Sequence, residues 1–267
     1  MGKRSARIPF AAALVLLVLL EIGGRVIRLD AVWFPMAETI LTRLIGALVF
    51  LPLIRRMGYP VLGGMKKPLS RFALPVILAA WVVAVNNLPI VGMLSGNARV
   101  SAGGAVVLLF ALECAAVGCF EELAFRGFLL PYCAERMRQR KKAAFFSALL
   151  SSAVFGAVHL VNLFAGGSPG AVVMQIGYSF LIGGLCAAVL VASGSVWMCA
   201  AVHAVYNFCG TILSRFGEGV RWDSLTVGLT VGIGAAAGVL ILCYLLRADN
   251  ELDKILPPKN GQPPEGS

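Results

Sequence analysis

The chain has 267 residues, 59% hydrophobic and 13% charged, with a formal net charge of +10 and a mean hydropathy of +0.86. A soluble domain of this size carries about a quarter charged residues. One water-facing core cannot hide this much apolar surface, so the composition excludes a soluble protein and implies an all-α, polytopic transmembrane bundle.

Apolar runs of about 20 residues, enough to cross a bilayer as helices, recur roughly at 8–29, 31–54, 72–94, 103–134, 143–164, 170–192, 195–214 and 224–246. About eight spans are therefore expected. The first follows "MGKRSAR" but lacks a convincing small-residue cleavage site, and Glu21, Arg25 and Arg28 arrive early. It reads as an uncleaved span rather than a signal peptide. The fourth is overlong, and Pro131 is expected to kink or end it. Only "SGS" divides the sixth from the seventh. The eighth holds Gly228-x-x-x-Gly232 and Gly234-x-x-x-Gly238, spacing that permits close helix packing. The tail "LPPKNGQPPEGS" reads as disordered. Seven scattered cysteines, with no CxxC or CxxH spacing, read as small apolar packing residues rather than a disulfide framework.

Most of the 23 Lys and Arg residues fall at the N-terminus, in the second-to-third and fourth-to-fifth loops, and in the tail. The positive-inside rule then places both termini in the cytoplasm, with an even number of spans. The run "RMRQRKK" is read as a cytoplasmic loop facing the lipid bilayer, not as a nucleic-acid patch.

Ionisable residues inside a span are costly, about 2.5–3.5 kcal/mol each at a helix centre, and mark functional sites. The fourth span carries Glu121, Glu122 and Arg126, the fifth His159, and the seventh His203 and Asn207. Each helical residue turns about 100°. Arg126 therefore shares a face with Glu122, four residues earlier, and the two can pair. Glu121 lies about 140° from Arg126 on the same arithmetic and is the carboxylate left for chemistry, the candidate general base. His203 and Asn207, also four apart, project together. At about 1.5 Å per residue, Glu121, His159, His203 and Asn207 all lie roughly 12–24 Å from the cytoplasmic ends of their spans, depths that allow one shared cavity. Each also has a plainer reading: a structural ion pair for Glu122 and Arg126, interhelical hydrogen bonding for each histidine, and a buried protonated acid for Glu121. Glu21, Glu38 and Arg43 are read as interface or packing residues. Glu113, two turns before Glu121, is a weaker candidate for the same cavity.

Three pieces of sequence, each on its own span and in order, resemble a known family. "EELAFRG", "FGAVH" and "HAVYN" match Glu-Glu-x-x-x-Arg, Phe-x-x-x-His and His-x-x-x-Asn. These are signatures of the CPBP family of CAAX proteases and bacteriocin-processing enzymes, also called Abi or Rce1-like. The resemblance covers about residues 100–215. It divides the chain into N-terminal spans (1–100), a catalytic core (101–215), a last span (216–250) and the tail (251–267). It implies an intramembrane endopeptidase acting on a peptide or membrane-protein substrate in a prokaryotic cell membrane. Carried over, Glu121 and His159 activate the attacking water, His203 and Asn207 stabilise the oxyanion, and Glu122 and Arg126 hold the site. No cofactor is required by that scheme. Glu121, His159 and His203 are nonetheless a possible zinc set, although the helical His-Glu-x-x-His pattern is absent. Two other classes fit the same residues: a proton- or cation-coupled transporter, and a non-catalytic scaffold or immunity protein.

Overall fold

The computed structural model describes residues 33–66, 69–220 and 222–258. The predicted first span and most of the tail lie outside those residues. Helix α1 (Trp33–Met57) is followed by α2 (Ala73–Asn86), the short α3 (Ile90–Leu94) and a strand, β1 (Ala98–Val100). Helix α4 (Gly104–Glu122) runs through a π-helical stretch (Leu123–Leu129) into α5 (Leu130–Met137). Then come α6 (Ala143–Val158), the single turn α7 (Val161–Phe164), α8 (Pro169–Ser193), α9 (Val196–Phe216), β2 (Gly217–Gly219), α10 (Ser224–Leu245) and a 3₁₀ turn (Asp249–Lys254).

Among the described residues six helical segments are long and apolar enough to cross a membrane: α1, α4 through α5, α6 with α7, α8, α9 and α10. The predicted third span is broken. Helix α2 has 14 residues, about 21 Å of rise against a hydrocarbon core near 30 Å. It stops at Asn87 before Pro89, whose missing N–H and fixed φ favour a break. The soft boundary at "SGS" is a true turn: Gly194 adopts φ +69°, which glycine enters at little cost, and Ser195 precedes α9. Leu41, Leu48, Leu78, Leu181 and Val239 are exposed on the outer surface, where lipid rather than water is the compatible solvent. The chain is an integral, multi-pass membrane protein by this architecture.

Pro131 does not end the fourth span. In a regular α-helix its ring would press on the carbonyl four residues back and its absent N–H would leave a gap. The chain instead widens before it. Leu130 N–H bonds Phe125 O, five residues back, and Ser151 Oγ also donates to that carbonyl at 3.1 Å. The helix then continues to Met137.

The two ends of the bundle differ. At one end, Lys142 N–H donates to Asp249 Oδ2 at 2.7 Å and Ala144 N–H to Oδ1 at 3.0 Å. Arg138 pairs with Asp253 at 2.6 Å, and Lys66 N–H bonds Ser193 O at 2.8 Å. These contacts gather the Arg- and Lys-rich loops 55–66 and 136–142 with segment 247–254 at the same end. The other end is tied by β1 pairing antiparallel with β2, Ala98 opposite Gly219. The glycines of α10 do not bear out the close-packing expectation: a Cβ at Gly228, Gly232, Gly234 or Gly238 would meet no described atom within 4 Å.

Candidate active site

The site forms where α4 packs antiparallel against α9, with α6 alongside. The close approach depends on Gly118. A Cβ there would lie 2.9 Å from Ala200 O and 3.1 Å from Ala204 N, so only glycine lets the backbones meet at this level. That brings the end of α4 against His203.

Glu122 and Arg126 are wholly buried and paired, Nη1 to Oε1 at 3.1 Å, as their four-residue spacing predicts. The guanidinium lies over the Phe155 ring, 4.7 Å from its centroid, and a Cβ at Gly183 would come within 3.0 Å of Nη2. Glu122 Oε1 also accepts from His203 Nδ1 at 2.7 Å. The opposite nitrogen, Nε2, faces Glu121 Oε2 at 3.6 Å. One imidazole thus sits between two adjacent carboxylates, a relation the sequence reading did not contain. Glu121 remains the more accessible acid, its side chain 13% exposed against 0% for Glu122.

His159 closes α6. Its Nδ1 donates to Phe155 O at 2.9 Å, since a carbonyl can only accept, and in the neutral tautomer this bond selects, the lone pair is on Nε2. The Phe155 ring stands edge-on between the two histidines, 5.3 Å from His159 and 5.8 Å from His203. Phe155 was visible only as the first residue of "FGAVH"; its bridging position was not.

Asn207 lies one turn beyond His203 on α9. It lines a cavity of about 530 Å³ together with Asn87, Tyr178, Thr211, Ser214 and Trp222. None of Glu121, Glu122, His159 and His203 lines that cavity; of the predicted site residues only Asn207 does. Asn87 was missed from sequence. It ends α2, and its Nδ2 donates to Tyr206 O at 3.1 Å. The "NN" pair in an apolar span was its signal. Glu113 does not join the cluster; it pairs with Arg215 at 2.6 Å.

Residues 103–209 match the family model described as Type II CAAX prenyl endopeptidase Rce1-like. This agrees with the resemblance carried by the three motifs. The Rce1-like segment runs from the residue that precedes α4 to the fourth turn of α9, and so contains all six predicted site residues. No curated protein and no solved structure gives a significant match to the chain.

Among the described residues no three His, Cys, Asp or Glu side chains are grouped to hold a metal ion. Glu121, His159 and His203 do not fit a zinc set in this arrangement.

Proposed function

We propose that the chain is an intramembrane endopeptidase that hydrolyses a peptide bond of a membrane-associated protein or peptide. The observation that carries this reading is the Glu121–His203–Glu122 alignment, inside a segment that matches the Rce1-like endopeptidase model. A base with an available lone pair and an imidazole of fixed orientation are the parts acyl transfer to water requires.

In this mechanism Glu121 and His159 Nε2 hold the water. Glu121 takes its proton as the oxygen attacks the carbonyl carbon. With Glu122 holding Nδ1–H, the imidazolium form of His203 offers Nε2–H to the developing oxyanion beside the Asn207 carboxamide, donors that act most strongly where water is excluded. Glu122 fixes the His203 ring through Nδ1, and Arg126 balances the Glu122 charge in the buried interior. Collapse of the tetrahedral intermediate breaks the C–N bond, and the proton held by Glu121 passes to the leaving amine. One water is consumed, and one carboxylate and one amine are released.

The test is in the membrane itself. Membranes from cells carrying the wild-type chain and the Glu121→Ala chain are compared by peptide mass spectrometry. The expected result is at least one membrane-associated polypeptide that stays uncut with Glu121→Ala. Identical profiles, together with full complementation by Glu121→Ala, would assign the chain to the non-catalytic class.

A further inference from the structure

The basic end of the bundle carries more positive charge than it balances. The carboxylates described there are all taken up within the protein. Glu135 accepts from Tyr59 Oη at 2.9 Å, and Asp249 from the backbone N–H groups of Lys142 and Ala144. Asp253 pairs with Arg138, and Glu251 with Lys254 at 2.5 Å. Arg55, Arg56, Arg136, Arg140, Lys141 and Arg247 are exposed at the same end. This surplus makes a positive field at the level of the lipid phosphates, and one place in it is shaped to hold a phosphate rather than merely attract it.

That place is a cavity of about 180 Å³ between the residues before α2, the end of α10 and the 3₁₀ turn, lined by Ser70, Phe72, Leu240, Tyr244, Arg247 and Glu251 among others. Its volume is many times the roughly 10–15 Å³ that one water needs. The cavity changes character along its length. Leu240 lies five residues before the end of α10 at Leu245, about 8 Å into the span. Phe72, Leu74 and Leu242 are exposed at that level, where acyl chains run. Arg247 lies two residues beyond the end of α10, and no carboxylate among the described residues pairs with it. Glu251, four residues on, is held by Lys254 instead. Arg71 stands over the Phe72 ring, 4.6 Å from its centroid, and puts a second cation beside the same wall. Ser70 Oγ and Tyr244 Oη are buried and have no hydrogen-bond partner among the described residues. A buried hydroxyl without a partner is costly, and both can donate to an oxygen that only accepts.

We propose that this cavity is a phospholipid site. The phosphodiester of a glycerophospholipid sits at Arg247, with Arg71 beside it and the Ser70 and Tyr244 hydroxyls as further donors in the wall, and an acyl chain lies along Phe72 and Leu240. A guanidinium suits the phosphate because its planar fork meets two oxygens at once. A free phosphate satisfies the same donors but leaves the apolar part of the cavity without an occupant, so the lipid is the better match. Bound there, the lipid joins α10 to α2 and to the 3₁₀ turn. That matters for α10, whose four motif glycines meet no described atom. The site is separate from the Glu121–His203 cluster and does not depend on the peptidase reading.

Native mass spectrometry of the full chain in detergent tests this by counting bound lipids. Wild type is compared with Arg247→Ala and with Arg55→Ala, an exposed arginine at the same end that does not line the cavity. The probes are dioctanoylphosphatidylglycerol, dioctanoylglycerol, which has the same chains and no phosphate, and inorganic phosphate. The expected result is a saturable phosphatidylglycerol adduct on wild type and on Arg55→Ala. Its affinity should fall about tenfold or more in Arg247→Ala, the scale of a lost hydrogen bond to a charged group. Dioctanoylglycerol should bind about tenfold more weakly than the phospholipid on the same scale, and inorganic phosphate at equal concentration should not displace the phospholipid. Absence of a saturable phospholipid adduct overturns the site. Equal weakening by Arg55→Ala and Arg247→Ala assigns the binding to diffuse surface charge and overturns it too. Equal binding of dioctanoylglycerol assigns the cavity to acyl chains alone, and displacement by inorganic phosphate assigns it to a free anion; either overturns the phospholipid assignment.

Discussion

His203 Nδ1 donates to Glu122 Oε1 at 2.7 Å, and Arg126 Nη1 donates to that same oxygen at 3.1 Å. One buried carboxylate oxygen therefore holds both a cation and the imidazole that faces Glu121.

This junction sets the first prediction. Arg126→Ala leaves Glu122 charged, wholly buried and short of a partner. Removing one member of a buried ion pair costs about 3–5 kcal/mol, so the melting temperature in detergent should fall markedly. The double change Glu122→Gln with Arg126→Met removes both charges and is expected to recover most of that loss. It should not recover hydrolysis, because a neutral amide holds His203 less firmly. Thermal unfolding and activity measured on both variants check the separation.

Gly118 gives the second. Gly118→Ala puts a Cβ 2.9 Å from the Ala200 carbonyl, a backbone atom that cannot swing aside. Overpacking of this kind costs about 1–3 kcal/mol, and separation of α4 from α9 lengthens the Glu121–His203 gap. Both stability and turnover should drop. Gly228→Ala, which meets no described atom within 4 Å, is the matched control and should change neither.

Metal removal gives the third. With no metal-holding group among the described residues, hydrolysis is expected to continue at an unchanged rate after exhaustive dialysis against a chelator. Loss of activity that zinc restores would contradict this.

The fourth concerns acid. Asp223 caps α10, accepting from Thr226 N–H at 2.7 Å and Thr226 Oγ1 at 3.1 Å. The backbone N–H of Thr226, followed by its hydroxyl, holds the carboxyl below its ordinary value of 3.8. A folded-state value that is depressed means the cap contributes fully above the unfolded value and is lost as pH falls through the folded one. Melting temperature should therefore decline more steeply below pH 3.8 for wild type than for Asp223→Asn, compared across an acid series.

Part of this was legible beforehand. Helical spacing alone pairs Glu122 with Arg126, because four residues return nearly to the same face. The motif-bearing spans were also legible, since apolar length is a strong signal. The bridging of Glu121 and Glu122 by His203 was not, because it depends on where α9 crosses α4, and that is set by Gly118 meeting Ala200 and Ala204. The π-helical turn was hidden as well. Pro131 announces a disruption, but whether the helix ends or widens depends on the support Phe125 O receives from Ser151. The α10 glycines mislead in the opposite sense: small-residue spacing permits close packing without requiring it, and no described helix takes up the space.

The measurement that tests the account most directly is hydrolysis by purified protein in detergent, using the polypeptide that accumulates in Glu121→Ala membranes. Wild type, Glu121→Gln, and His159→Ala are compared at matched folded concentration, with folding verified by melting. The account expects cleavage by wild type and loss of about two orders of magnitude or more in each variant, the usual scale for a removed general base or its partner. Cleavage at the wild-type rate by both variants would contradict it.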